Sequence, residues 1–350
     1  MGKNMVLHLL EQGIDVVAYN RTQQATDQLK AENLPARPGR AKLTVAYTTQ
    51  DFVKLLPSPR VIWLMVAAGA PVDEVLDSLI ASGIEKDDIV IDGGNSFYKD
   101  TIRRYDKLSK SGIKYIDCGT SGGLEGGRTG ACLMLGGDEA VVKQLEWLWN
   151  ALSTGPASFA LRSQTIRHSG KPKARPESDP GWDQDDGQTR MTDNPPVGGS
   201  LPAQRDQSGW AYFGTAGAGH FVKMVHNGVE YGMDQAIGEG FALLAKGPYT
   251  LDLASVAKNW NHGSIVRGWL MELLARAFSK DPHLDTFTGK VGGGETGAWV
   301  LTTARELGIE ATALEIALVA RKKSVETPTF ATKVISALRR EYGGHEEAKP

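Results

Sequence analysis

The sequence is poor in cysteine, in long apolar runs and in net charge of either sign. Two cysteines, Cys118 and Cys132, in 350 residues are too few for a disulfide framework, which favours a reducing compartment. No apolar run approaches the roughly 20 residues of a membrane span, and the first residues lack the form of a signal peptide. Lys and Arg total 39 against 41 Asp and Glu, which argues against general nucleic-acid binding. We therefore expect a cytoplasmic protein without nucleic-acid or membrane partners.

Strand and helix signals alternate through residues 1–154. Apolar periodicity predicts strands at residues 15–19, 61–66, 88–92 and 114–117. Helical spacing predicts helices at residues 1–12, 22–32, 72–82 and 98–111. Such alternation is typical of parallel βαβ units. The expected fold class is an α/β Rossmann-type, doubly wound parallel sheet whose first strand is missing.

The chain changes character after residue 154. Six of its 16 prolines fall between residues 162 and 208, among many polar residues and without an apolar period. This composition predicts a disordered or loop insertion over residues 155–208, with a small functional module as the alternative. Residues 209–350 are then expected to form an all-helical domain. Its helices are predicted at residues 220–244, 253–259, 264–278, 298–307, 312–324 and 331–342.

The start of the chain contains part of a dinucleotide-binding pattern. Such a unit normally begins with a strand and Gly-x-Gly-x-x-Gly, whereas this sequence opens on the helix. Gly2 could be only the last glycine of that fingerprint, or simply an isolated glycine. The residues after the next strand are Asn20, Arg21 and Thr22, where an arginine suits the 2′-phosphate of NADP. A helix cap with a solvated arginine is the alternative, so NADP is expected and NAD is the second choice.

Two glycine-rich loops follow predicted strands. Residues 92–96, Asp-Gly-Gly-Asn-Ser, allow close backbone approach to a ligand, and Asn95 offers both a donor and an acceptor. A plain turn with a helix cap is the alternative for this loop. Residues 119–127 contain so many glycines that the entropic cost of ordering them favours a functional role. Loops of this kind present backbone N–H groups to anions such as carboxylates.

One predicted helix carries a polar stripe. Lys223, His226, Asn227, Glu230 and Tyr231 stand at i, i+3, i+4, i+7 and i+8, which places all five on one face. Apolar residues flank the stripe, so it fits the wall of a cleft better than the alternative, a solvated polar face. A lysine beside apolar walls can have a lowered pKa and act as a base, and the glutamate could be the matching acid.

Residues 217–233, GAGHFVKMVHNGVEYGM, resemble the signature of the decarboxylating 6-phosphogluconate dehydrogenases. The loops at residues 92–96 and 121–123 and the Asn20–Thr22 segment match the same family. Related β-hydroxyacid dehydrogenases share Lys223 and Asn227 but lack the Glu230–Tyr231 pair. The resemblance covers nearly all of the chain except about residues 155–207, and it is to the shorter version of the family, with one helical repeat.

The resemblance implies an NADP-dependent oxidative decarboxylation of 6-phosphogluconate to ribulose 5-phosphate in the pentose phosphate pathway and in gluconate utilisation. It assigns Lys223 as the base and Glu230 as the acid, and it implies no metal. Substrate-binding residues would be Asn95, Ser121, Gly122, Gly123, His226, Asn227, Tyr231, Arg321, Arg339 and His345. Cofactor-binding residues would be Gly2, Asn20, Arg21, Thr22, Val66, Ala67, Ala68 and Asn95.

The segment 339–345 resembles the closing motif of the family, which commonly completes the phosphate pocket across a subunit interface. A homodimer or homotetramer is therefore expected. Gly294 and Ala298 stand where longer and shorter relatives, respectively, carry a basic residue. Loss of one charged phosphate partner would cost about 1.5–3 kcal/mol of binding.

The missing first strand and glycines would also remove most of the pyrophosphate cradle. Two hypotheses follow: a working dehydrogenase whose true start lies upstream, or a catalytically impaired truncated homologue that acts only in binding or assembly. Another β-hydroxyacid dehydrogenase is a further alternative.

Overall fold

The computed structural model describes residues 1–32, 41–155 and 208–347, and the account below refers to these residues. The strands are β1 (Val16–Tyr19), β2 (Leu43–Ala46), β3 (Val61–Leu64), β4 (Ile89–Asp92), β5 (Lys114–Ser121), β6 (Cys132–Gly136) and β7 (Trp210–Gly214). The helices before β7 are α1 (Gly2–Glu11), α2 (Gln23–Glu32), α3 (Thr49–Leu55), α4 (Ala70–Ala81), α5 (Tyr98–Ser109), α6 (Gly123–Thr129), α7 (Glu139–Gln144) and α8 (Glu146–Leu152). Those after it are α9 (Ala218–Lys246), α10 (Leu253–Trp260), α11 (Trp269–Lys280), α12 (Glu295–Glu306), α13 (Thr312–Lys323) and α14 (Phe330–Gly343).

The strands form two separate sheets. β1 and β2 pair in parallel as a two-stranded sheet, and the larger sheet has the order β3-β4-β5-β6-β7. Its pairs are parallel except for β5 with β6, which run antiparallel. All four residues of β4 are buried, as expected for a central strand that is covered on both faces. The carboxyl ends of β3 and β4 lie side by side, which brings the loops after them together.

Three clusters of buried apolar side chains stabilise the larger sheet and the helices packed around it. One cluster lies on the face of the larger sheet covered by α1, α7 and α8, and a second lies between β3, β4 and the helices α3 and α4. The third is formed within the helical part, around Phe241, Phe278 and Leu338. The Rossmann-type sheet and the helical part therefore have separate cores, joined by the long helix α9.

Glycines allow helix α9 to pack closely against the larger sheet. A Cβ at Gly219 would clash with the carbonyl of Met134 on β6, and a Cβ at Gly119 on β5 would clash with the side chain of Lys223. Any larger residue at either position would push the helix off the sheet. This close approach fixes Lys223 against the carboxyl-terminal part of β5.

The predicted fold class is confirmed, and several elements missing from the sequence prediction appear. They are β2, α3, α6, α7, α8, β6 and β7. Because β7 pairs with β6, residues 210–214 belong to the sheet and not to an all-helical region starting at residue 209. Most of the predicted insertion, residues 156–207, lies outside the described residues. Within the described part of the chain, no helix combines the length and the hydropathy needed to cross a bilayer.

Candidate active site

The amino-terminal end of α9 is anchored by a buried carboxylate. Asp117 on β5 accepts hydrogen bonds from the backbone N–H groups of Gly217 (2.8 Å) and His220 (2.9 Å). A carboxylate there satisfies free N–H groups and lies at the positive end of the helix dipole. Gly217 has a φ of 93°, which a side chain would strain. Asp117 therefore sets the start of the helix, and through it the height of Lys223 above β5.

Lys223 is buried in a polar cluster. Its residue is 8 % exposed, and Nζ donates a 2.7 Å hydrogen bond to Oδ1 of Asn227. Nδ1 of His226 lies 3.3 Å from the same Nζ. Burial lowers the pKa of the Lys223 ammonium below its ordinary value, and the nearby Glu230 carboxylate acts in the opposite direction. A lysine in this environment exchanges protons more readily than an exposed one.

The polar stripe of α9 contacts both glycine-rich loops. His226 Nε2 lies 3.1 Å from the Ser121 hydroxyl, and Asn227 donates through Nδ2 to Oδ1 of Asn95 at 3.0 Å. Burial and the Lys223 charge lower the pKa of His226, and Glu230 opposes them. The predicted residues Asn95, Ser121, His226 and Asn227 thus surround Lys223 within one hydrogen-bonded group.

Hydrogen bonds to the buried Asp92 fix the loop that carries Asn95. Asp92 accepts hydrogen bonds from the hydroxyls of Ser96 (2.8 Å) and Tyr115 (3.0 Å) and from the N–H of Gly94 (3.2 Å). The Asp92, Ser96 and Tyr115 side chains are all buried. This buried network fixes the backbone so that Asn95 projects toward α9.

Asn95 also forms a hydrogen bond to the helical part of the chain. Its Nδ2 donates a 2.8 Å hydrogen bond to Oγ1 of Thr296 at the start of α12. Phe97 stacks on Trp299 of the same helix, with ring centroids 5.3 Å apart. Thr296 was not predicted from the sequence, although it lies between Gly294 and Ala298, two positions that were singled out there. The 92–96 loop, helix α9 and the start of α12 therefore meet at Asn95.

Glu230 lies farther along the same face of α9. Oε2 is 3.9 Å from Nδ1 of His226, and the side chain is 23 % exposed. His226 therefore lies between the Lys223 amine and the Glu230 carboxylate. An amine and a carboxylate separated in this way can serve different atoms of one extended substrate.

A second cluster, here named the arginine pocket, comprises Tyr231, Arg321, Arg339 and His345. The Arg321 guanidinium lies over the Tyr231 ring, 4.2 Å from its centroid, and donates from Nε and Nη2 to the carbonyl of Gly292. Arg321 and Arg339 are 5 % and 8 % exposed. Burial, followed by the charges of Arg339 and Arg321, lowers the pKa of His345. Two buried guanidiniums in proximity favour an anion with several oxygens.

The segment that carries Arg339 and His345 also contacts α9 through Tyr342. The Tyr342 hydroxyl donates a 3.3 Å hydrogen bond to Asp234. The homodimer or homotetramer stays a prediction.

The loop at Gly122 and Gly123 needs its glycines. Their φ angles are 120° and 60°, and a Cβ at Gly123 would clash with the carbonyl of Tyr342 on α14. Gly123 also begins α6, so the predicted glycine loop is partly a short helix. The loop is consequently fixed between β5 and the end of α14, next to Ser121.

Six of the predicted cofactor residues follow β1 or β3, whereas Gly2 begins α1 and Asn95 follows β4. Asn20 donates from Nδ2 to the hydroxyl and carbonyl of Thr22 (both 3.1 Å), so its side chain caps the turn, while Arg21 is exposed. Gly94 leaves no room for a Cβ beside the carbonyl of Val66, so the 66–68 and 92–96 loops run together. A Cβ on Gly2 would make only ordinary contacts with Met65, so packing does not require glycine there.

Neither Gly294 nor Ala298 brings a basic side chain to the arginine pocket. Gly294 has a φ of 124°, and a Cβ there would lie 3.1 Å from Leu318. A lysine at this position would therefore need a different backbone.

Among the described residues, no group of three or more His, Cys, Asp or Glu is arranged to hold a metal ion.

Comparison with known proteins places this geometry in a family. The NAD-binding domain of 6-phosphogluconate dehydrogenase matches residues 1–161, and the C-terminal domain of 6-phosphogluconate dehydrogenase matches residues 219–341. YqeC of Bacillus subtilis, which carries a provisional 6-phosphogluconate dehydrogenase name, is 36% identical over 349 residues, covering 100% of this chain and 96% of the relative. An NAD(+)-dependent decarboxylating 6-phosphogluconate dehydrogenase of Haloferax volcanii is 34% identical over 350 residues, with the same coverage.

A solved structure gives the same result. Plasmodium falciparum 6-phosphogluconate dehydrogenase superimposes with a TM-score of 0.70 at 26% identity, covering 93% of this chain and 60% of that one. The two domain matches and the similarity over the whole of this chain support the same family, and the Lys223 cluster and the arginine pocket both lie within the matched residues or close to them. This chain belongs to the 6-phosphogluconate dehydrogenase family.

Proposed function

We propose that this chain catalyses the oxidative decarboxylation of 6-phospho-D-gluconate to ribulose 5-phosphate and CO2, with reduction of NADP. This reaction serves the pentose phosphate pathway and gluconate utilisation. The observation that carries the proposal is the order of groups along one face of α9, where the buried Lys223 amine is followed by the Glu230 carboxylate and then by the arginine pocket. A substrate with a carboxylate near one end and a phosphate at the other fits this order.

Lys223 acts as the base in the oxidation. The nicotinamide dinucleotide supplies the hydride acceptor when it is bound. The neutral Lys223 amine takes the proton of the C3 hydroxyl as the hydride leaves C3, which becomes a carbonyl. The lowered pKa of Lys223 increases the fraction of neutral amine available for this step.

The 3-keto acid then loses CO2. Electrons of the C1–C2 bond move toward the C3 carbonyl oxygen, which takes a proton from the Lys223 ammonium and gives an enediol. Glu230 donates a proton to C1 of that enediol, the former C2, while Lys223 takes back the hydroxyl proton. The partial exposure of Glu230 allows it to regain a proton from solvent.

The remaining polar groups hold the substrate. Asn95, Ser121, His226 and Asn227 bind the carboxylate and the hydroxyls, together with the backbone at Gly122 and Gly123. Tyr231, Arg321, Arg339 and His345 bind the phosphate, where bidentate guanidinium contacts are strong. The absence of basic side chains at positions 294 and 298 leaves this binding to the two arginines.

The residues that would hold the cofactor follow β1 and β3 for the most part. Arg21 is exposed and forms no ion pair within the described ranges, so its guanidinium is free to bind the 2′-phosphate of NADP, with Asn20 and Thr22 beside it. Gly2, Val66, Ala67, Ala68 and Asn95 line the rest of the site. The Haloferax relative is named as NAD(+)-dependent, and NAD is therefore the competing cofactor.

The cofactor and the substrate bind mainly to different parts of the chain. Residues 1–154 bind the cofactor and contribute Asn95 and the 121–123 loop to the substrate site, whereas residues 209–350 supply the rest of that site and form the contacts of a homodimer. Val225, Val229 and Met233 form an exposed apolar stripe on α9, and Ile316 and Val319 on α13 are exposed as well. Burial of such side chains by a second copy of the chain would be favourable.

The proposal is tested with the purified chain, 6-phosphogluconate and NADP. The expected result is formation of NADPH with release of one CO2 per NADPH. NADPH formation without CO2 would favour another β-hydroxyacid dehydrogenase. Binding of 6-phosphogluconate without turnover would favour the impaired, binding-only homologue.

A further inference from the structure

Asp234 is a buried carboxyl group that the proposed mechanism does not use. It lies on α9 one turn beyond Glu230, and it is 1 % exposed. Oδ2 accepts the 3.3 Å hydrogen bond of the Tyr342 hydroxyl, while Oδ1 has no hydrogen-bond partner within the described ranges. The same ranges place no cation within salt-bridge distance of it. A carboxylate so buried and so poorly paired is costly, which favours its protonated form.

The charges around Asp234 come from three helices. Burial, followed by Glu230 on α9, raises the pKa of Asp234 to about 8. Arg321 on α13, together with Tyr342 and Arg339 on α14, acts in the opposite direction. The same two arginines form the arginine pocket, and Tyr342, whose hydroxyl binds Asp234, has its ring 6.0 Å from the ring of His345 in that pocket.

We propose that Asp234 couples proton uptake to the binding of an anion in the arginine pocket. This inference rests on the proposed function, because the anion is the phosphate of the substrate. Without substrate, Arg321 and Arg339 favour the Asp234 carboxylate. A bound phosphate compensates the charge of these arginines and adds negative charge nearby, so the carboxylate takes up a proton.

The pH range follows from the sign of the coupling. Below about pH 8 Asp234 already carries its proton, and phosphate binding needs no uptake there. Above that pH the free protein has lost the proton and must regain it on binding. The dissociation constant of the wild type therefore rises by up to ~10-fold per pH unit above about pH 8 until the proton is also lost from the complex.

The test is calorimetric titration of the full chain with 6-phosphogluconate in pairs of buffers that differ in ionisation enthalpy, at about pH 7 and about pH 9. Wild type is compared with Asp234→Asn, which removes the charge while its amide oxygen can still accept the Tyr342 hydrogen bond. Near pH 9 the wild type should take up more protons than the variant, and the variant should bind up to ~10-fold more tightly. Lys223 and His226 are present in both proteins, so their contribution cancels in the difference.

Equal proton uptake by the two proteins would overturn the proposal, as would weaker binding by Asp234→Asn at both pH values, which would indicate a structural role. If the variant does not fold, wild type is titrated with gluconate, which has no phosphate. Gluconate binding should lack the added loss of affinity above about pH 8, and an equal loss for both ligands would refute the coupling. A wild type that does not bind 6-phosphogluconate at all would instead refute the proposed function, and this inference with it.

Discussion

Lys223→Ala tests the proposed base most directly. The change removes the amine that donates to Asn227 at 2.7 Å and lies 3.3 Å from His226. General base catalysis contributes about 10²–10⁴ in rate, equivalent to about 3–5 kcal/mol of activation free energy. We therefore expect kcat to fall by at least about 10²-fold, with a smaller change in the dissociation constant of the substrate.

The fold should tolerate this change. Loss of the hydrogen bond leaves Asn227 Oδ1 without its lysine donor, which costs about 1–3 kcal/mol. Removal of a buried ammonium offsets part of that cost, because its desolvation disfavours the folded state. Asn227 keeps its second contact, to Asn95. Circular dichroism and denaturant unfolding should show a folded protein with a modest loss in the free energy of unfolding.

The matched control is Lys246→Ala, an exposed lysine in the last turn of the same helix. Steady-state rates of NADPH formation are compared for the wild type and both variants across pH. Activity of the wild type should fall toward low pH as Lys223 becomes protonated, and its lowered pKa moves that fall below the range of an exposed lysine. A folded Lys223→Ala protein with a rate within about tenfold of the wild type would refute the assignment.

Three further predictions concern binding and assembly. Arg321→Ala should raise the KM for 6-phosphogluconate by about 10–100-fold, since a charged hydrogen bond contributes about 1.5–3 kcal/mol, whereas the exposed Arg267→Ala should leave KM unchanged. Arg21→Ser should weaken NADP binding and leave NAD binding unchanged in fluorescence titrations; equal effects on both cofactors would contradict a role in 2′-phosphate binding. Val229→Lys should shift the protein toward the monomer in light scattering if the α9 stripe is an interface, and an unchanged mass would exclude that face.

The local part of the site was predictable from the sequence. A period of 3.6 places Lys223, His226, Asn227 and Glu230 on one face of any helix, and the long helix α9 has that face. The strand at residues 89–92 was predictable as well, because a buried apolar run flanked by polar residues indicates a central parallel strand.

Contacts between site residues that are far apart in the sequence were not predictable. Thr296 reaches Asn95, and Asp117 reaches the start of α9, across about 200 and 100 positions of the chain. No periodicity encodes such partners, because they depend on how the layers pack. The four-residue strand β2 and the strand β6 beside a glycine-rich segment have too few alternating residues for a clear signal.

The meeting of Gly123 with Tyr342 has a consequence for biosynthesis. The loop beside Ser121 and the helix that carries Arg339 are more than two hundred residues apart, yet each fixes the position of the other. The sheet can begin to fold while the rest of the chain is still being synthesised, but the substrate cleft cannot close until α14 has left the ribosome. Glycine loops and unpaired polar groups are therefore exposed in the nascent chain. We expect release of α14 to be the step at which the proposed substrate site is first complete.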